Sequence, residues 1–152
     1  MSGDWEQGLN CSDKVDRRKF LGAGAATAGI LLLKPELVHG TAANSTVHVG
    51  LLGCGGRGTE DATNLIDTGG ARVVALGDLF QDQRDKAREN FNKIQQAKGC
   101  AALEESQLFA GPNAFQQMAA SKEVDAIVIA TPPYFHPQHL EAAVAAGKHV
   151  YL

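Results

Sequence analysis

The sequence predicts an α/β fold, a doubly wound parallel sheet with strand order 3-2-1-4-5, on three observations. Short apolar runs alternate with amphipathic helical stretches through short loops, which implies a parallel sheet covered on both faces. An extended run, Val47-His48-Val49-Gly50-Leu51-Leu52, passes directly into Gly53-Cys54-Gly55-Gly56-Arg57-Gly58, a G-x-G-x-x-G turn. An acid, Asp78, closes the second apolar run 20 positions after the last of those glycines. Strand, glycine turn, helix and distant acid together describe the Rossmann arrangement for a dinucleotide.

The glycine spacing has a physical cause. The first glycine makes a tight turn, the second lets backbone approach a pyrophosphate, and the third lets the next helix pack closely on the strand. The amides at that helix N-terminus then face phosphate, helped by the helix dipole.

The elements follow in order. Thr46 to Leu52 reads as the first strand, apolar on both faces as a central parallel strand is. A helix from about Arg57 carries Ala62, Leu65 and Ile66 on one face and ends at Asp67-Thr68-Gly69-Gly70. Arg72 to Leu76 is the second strand, closed by Gly77-Asp78. The next helix, Gln81 to Lys98, turns Ala87, Phe91 and Ile94 inward and stops at Gly99. Leu108-Phe109-Ala110 fits a short edge strand or a helical turn. Pro112 opens a short helix with Phe115, Met118 and Ala119 inward, since proline suits a first helical position. Val124 to Ala130 is the clearest strand, broken by Thr131-Pro132-Pro133. Pro137 begins a helix with Leu140, Ala143 and Val144 inward and Gly147 as its stop, and His149 to Leu152 starts a last strand. The two unusual turns, Gly53–Gly58 and Thr131–His136, follow strands one and four. In the predicted order those strands flank the crevice where connections reverse, so both turns line one site.

Composition bounds the rest. A chain of 152 residues holds one domain with a real core. Net charge is -3 with no basic block, which argues against a nucleic-acid partner. The three cysteines, Cys11, Cys54 and Cys100, show no metal or redox spacing, and Cys54 suits the glycine turn as a small side chain. No G-x-S-x-G or hydrolytic Ser/His/Asp constellation is present, and no general acid or base stands out.

Residues 1–43 stand apart from the domain at 44–152. Asp16-Arg17-Arg18-Lys19-Phe20-Leu21 precedes an apolar stretch, Phe20 to Leu33, too short to span a bilayer comfortably. Twin arginines in Arg-Arg-x-Phe-Leu resemble a Tat export signal. That resemblance implies the Tat machinery as a partner and a periplasmic or otherwise exported destination. Small residues suit cleavage after Gly40 or after Ala43.

Asp78 suits binding of ribose hydroxyls, and its carboxylate would repel a 2′-phosphate, so NAD is favoured over NADP. An aspartate after a strand also serves as a turn former. Arg57 is open to a phosphate or adenine contact, or to solvation. His136 is open to a role at the nicotinamide ribose or substrate, or to a helix-capping role. Tyr134 and Phe135 wall a pocket or pack their loop; His48, His139 and His149 read as structural. The cofactor-site set is therefore Gly53, Cys54, Gly55, Gly56, Arg57, Gly58, Asp78, Thr131, Pro132 and His136, with no metal site.

From Thr46 onward the chain resembles the Gfo/Idh/MocA oxidoreductases. The resemblance rests on Val49 to Gly58, on Asp78, on Val124-Asp125-Ala126-Ile127-Val128-Ile129-Ala130-Thr131-Pro132-Pro133-Tyr134-Phe135-His136, and on Ala145-Ala146-Gly147-Lys148-His149-Val150. It implies hydride transfer with NAD(P) at a sugar, inositol or related polyol carbon. In that family a Glu-Lys-Pro motif comes next, its lysine serving catalysis. A larger α/β domain then binds substrate and forms a homo-oligomer. The resemblance thus implies a fragment inactive alone, with no catalytic residue in hand and Lys148 structural. NAD-dependent glycosidases of the same family share every residue named, and a non-catalytic NAD-binding module is the other alternative.

Overall fold

The structure, a computed structural model, describes residues 46–152. The export-signal reading falls on residues 1–43, outside the described residues. Five parallel strands form one sheet among the described residues, ordered β3-β2-β1-β4-β5. They are β1 (Val47–Leu52), β2 (Ala71–Asp78), β3 (Leu108–Ala110), β4 (Ala126–Ile129) and β5 (His149–Tyr151). Helices α1 (Gly56–Asp67), α2 (Gln81–Ala97), α3 (Ala114–Ala120) and α4 (His136–Ala145) cover it. This is the predicted doubly wound Rossmann sheet in the predicted order, with β1 central between β2 and β4.

Alternation along β1 and β4 sends side chains to two apolar layers. Val49, Leu51 and Val128 pack with Ala62 and Ile66 of α1 and Ala87 and Phe91 of α2. Leu52, Ile127 and Ile129 pack with Phe115 and Met118 of α3 and Ala143 of α4. Fully buried Met118 fills the hollow over two strand glycines. Its Sδ lies 2.7 Å from where a Gly50 Cβ would sit, and its Cε 3.0 Å from that of Gly77.

One irregularity decides which way Asp78 faces. Val49 pairs with Val73, but Gly50 pairs with Ala75, so β2 carries one extra residue there. Val74 and Ala75 consequently both pack in the α3/α4 layer, while Leu76 returns to the α1/α2 layer. Strict alternation from Val73 would have put Asp78 on the opposite face, because a one-residue slip inverts every later side chain.

Several predicted details change. Leu108–Ala110 takes the first of its two readings, edge strand β3, and a 3₁₀ turn Glu105–Gln107 precedes it. Pro112 does not open α3; the helix begins at Ala114 with Asn113 at its N-cap, after Gly111 turns the chain at φ 78°. Val144 is not inward but 60% exposed, since α4 meets the α3/α4 layer through Ala142 and Ala143. Lys148 is structural, as expected. Its Nζ donates to the Ser121 carbonyl at 2.7 Å and the Val124 carbonyl at 2.8 Å, tying the α3–β4 loop to the end of α4.

Candidate functional site

The glycines of the turn do different work. Gly53 leaves β1 at φ 96°, a conformation that side chains avoid, and its amide donates to the Gly77 carbonyl at 2.8 Å. A Cβ there would stand 2.7 Å from the carbonyl carbon and oxygen of Ala130, and 2.8 Å from the Thr131 amide nitrogen. The β1 turn and the end of β4 therefore touch, backbone to backbone. On Gly58 a Cβ would strike the Gly53 carbonyl oxygen and lie 2.9 Å from the Ala130 Cβ. These two glycines let α1 and both strands converge. Gly55 and Gly56 face open space, where a Cβ meets nothing within 4 Å. Gly55 is the N-cap of α1 and offers no side-chain cap, so the helix's orphan first-turn donors begin at a bare backbone edge. A groove between α1 and α2 starts there, lined by Gly55, Gly56, Thr59, Thr63, Gln83 and Lys86.

Asp78 closes this end. One carboxylate oxygen accepts the Cys54 amide at 2.6 Å and the other accepts the Phe80 amide at 2.9 Å. The turn-forming reading of Asp78 holds, since it caps its own loop after β2, and the carboxylate also pins the glycine turn, a contact not foreseen. Each carboxylate oxygen keeps acceptor capacity beyond one such bond. The Cys54 amide is already engaged by Asp78 in this arrangement. Its thiol is buried against the Gly77 carbonyl at 3.6 Å. Burial above all, then the neighbouring Asp78 charge, push the thiol up to about 12, which leaves no thiolate for nucleophilic chemistry. Arg84, not foreseen as a neighbour, donates from Nη1 to the Asp78 carbonyl at 3.0 Å. Arg57 lies 74% exposed and paired with Asp61 at 2.9 Å along α1.

The opposite wall is the loop after β4. Pro133–Phe135 forms a 3₁₀ turn leading into α4. The His136 ring turns back, its Nε2 donating to the Thr131 carbonyl at 2.6 Å. The Thr131 hydroxyl bonds His139 Nδ1 at 3.0 Å. The His139 ring lies against two others, Phe115 at 4.7 Å and Phe135 at 5.9 Å between centroids. Tyr134 packs edge-on against Phe135 but stays 86% exposed. The structure thus brings Gly53, Cys54, Gly58, Asp78 and Thr131 into one contact set, with Pro132 and His136 beside Thr131. Sequence reasoning placed His139 as structural and missed its bond to Thr131. The signal was the three-residue spacing from His136, which puts both rings on one helix face. Among the described residues, no cluster of His, Cys, Asp or Glu is arranged to hold a metal ion.

Residues 47–152 match the family model described as an oxidoreductase family with an NAD-binding Rossmann fold, Gfo/Idh/MocA. The chain belongs to the Gfo/Idh/MocA family. A glycosyl hydrolase family 109 protein of Solibacter usitatus is 33% identical over 107 residues, 70% of this chain and 24% of that protein. Inositol 2-dehydrogenase of Acidiphilium cryptum is 30% identical over 107 residues, again 70% of this chain and 28% of that protein. The structure of scyllo-inositol dehydrogenase from Lactobacillus casei, with bound NAD(H) and scyllo-inositol, superposes at a TM-score of 0.53. It is 27% identical, across 69% of this chain and 27% of that one. The chain thus spans about a quarter of the length of these relatives.

Two predictions follow from this geometry. Gly53→Ala should lower stability by about 2 kcal/mol or more, from backbone strain and overlap, whereas Gly55→Ala should change it by under about 0.5 kcal/mol. Urea unfolding of both variants checks the contrast. Burial, and secondly the His136 charge, hold His139 below its ordinary value of 6.5. The unfolded chain therefore binds a proton more readily, so stability should fall as pH drops through 6.5 and level off below the folded-state value. His139→Phe should flatten that decline in urea midpoints measured between neutral and mildly acidic pH.

Proposed function

We propose that residues 44–152 are the cofactor-holding part of an enzyme that moves hydride to or from a sugar, inositol or related polyol carbon. The observation that carries this reading is the bare backbone edge at Gly55 and Gly56, where a Cβ meets nothing, beside the Asp78 carboxylate. A dinucleotide fits that edge: pyrophosphate against the first amides of α1, a ribose hydroxyl against Asp78. NAD, when bound, supplies the hydride acceptor or donor. The chain's own residues then bind and orient. Gly53 and Gly58 let the walls converge, and Cys54 serves through the amide that Asp78 holds. Arg57, its guanidinium exposed at the rim beside Gly56, would reach phosphate by giving up its pair with the largely buried Asp61. Thr131, Pro132 and His136 form the nicotinamide end.

A second reading is supported by the relatives named as glycosyl hydrolase family 109 proteins, at identities up to 33%. In that reading the same site oxidises, eliminates and re-reduces, so glycoside cleavage consumes no NAD overall. Free sugar released from a glycoside with only catalytic NAD would favour it over net sugar oxidation, in an assay of the longest gene product. The Arg17-Arg18-x-Phe20-Leu21 stretch supports export of the protein by the Tat route. Replacing both arginines by lysine should retain it in the cytoplasm, and unchanged secretion would dismiss that route.

Binding of NADH, followed by its fluorescence, tests the cofactor assignment directly. Asp78→Ala should weaken affinity by tenfold or more, roughly 1.4 kcal/mol, because it removes the ribose acceptor and frees the glycine turn. Lys148→Met should lower stability by about 1 to 2 kcal/mol through two orphaned carbonyls yet leave affinity within about twofold. Equal effects on binding would contradict the site as assigned.

A further inference from the structure

Thr131 is constrained from three directions. Its amide nitrogen lies against the Gly53 turn, its carbonyl accepts from His136, and its hydroxyl bonds His139 at 3.0 Å. Two of those restraints come from α4, one helical turn apart. Packing alone does not require an imidazole at position 139. The ring rests between Phe115, tilted at 33°, and Phe135, stacked at 13°, where a phenyl group would fit as well. What the imidazole adds over a phenyl ring is two ring nitrogens, and one of them, Nδ1, meets Thr131. A threonine hydroxyl otherwise rotates freely to suit any partner. Engaged by Nδ1, it has one direction taken and the rest fixed for a ligand.

We propose that His139 is a positioning residue of the cofactor site: through the Thr131 hydroxyl it holds the loop after β4 against Gly53. The fixed hydroxyl then presents itself to a neutral hydrogen-bonding group of the nicotinamide riboside, a carboxamide or a ribose hydroxyl. This rests on the NAD reading above. It gives α4 a second residue, one turn beyond His136, with a part in shaping the site. It also explains why two histidines three positions apart converge on one residue.

Three variants of the full 152-residue chain separate positioning from packing, with NADH as the probe at pH 7.5. His139→Phe keeps the aromatic sandwich and loses the hydrogen bond; His139→Asn keeps a donor or acceptor near Nδ1 and loses the sandwich. Thr131→Val removes the hydroxyl. His139→Phe should bind NADH about fivefold to tenfold more weakly at an unchanged urea midpoint, the size of one lost hydrogen bond. His139→Asn should recover most of the affinity despite a lower midpoint. Thr131→Val should bind at least as weakly as His139→Phe, because it removes the ligand contact too, and the double variant should be no weaker than Thr131→Val alone. Affinity that tracks the urea midpoint across the set, or His139→Phe binding like the parent, overturns the proposal alone. A parent chain that does not bind NADH overturns the cofactor reading on which it rests.

Discussion

The backbone of Gly53 lies against the Ala130–Thr131 peptide with no room for a Cβ between them, and the rest of the site depends on that approach. Two adjacent parallel strands, β1 and β4, end side by side, and the chain leaves them in opposite directions to α1 and α4. At such a divergence a crevice opens at the strand ends. Contact between the two turns makes its floor continuous. Gly58 extends the same close packing to α1, and Gly55 and Gly56 leave the rim bare. Four glycines within six residues thus divide between bringing backbone together and keeping it uncovered.

Around that floor, polar groups mostly hold one another. Asp78 takes an amide from the glycine turn and another from its own loop, and Arg84 holds the Asp78 carbonyl. On the other side, His136 and His139 hold Thr131. Groups held in this way have fewer rotamers left to lose, which lowers the ordering cost of any contact they make. The same arrangement keeps reactive chemistry out: the only free cysteine among the described residues, Cys54, is buried and neutral. The fold around these residues is the NAD-binding Rossmann domain of the Gfo/Idh/MocA family.

Much of this was legible in the residues. The period of apolar positions, the glycine spacing and the proline break located four strands and the sheet order, because a parallel sheet leaves short connections few alternatives, while Leu108–Ala110 stayed open between edge strand and helical turn. The convergence of Gly53 and Thr131 followed from order alone. Other features depended on tertiary packing that no local pattern records. The extra residue at Val74–Ala75, which turns Asp78 toward the glycine turn, looks like ordinary alternation in an unbroken apolar run. Val144 carries the right spacing to be inward, yet α4 meets the sheet through two alanines. His139 looked like filler on a helix because its partner, the Thr131 hydroxyl, becomes visible only once the loop is closed.

Titration of the isotope-labelled chain with NAD, followed by backbone amide shifts, tests the central claim most directly. The account predicts that the largest changes fall on Gly53 to Gly58, on Asp78 to Phe80 and on Thr131 to His136, two stretches of sequence far apart moving together with the acid between them. Changes confined to other surfaces, such as the groove lined by Val47, Ala71 and Tyr151, would contradict it.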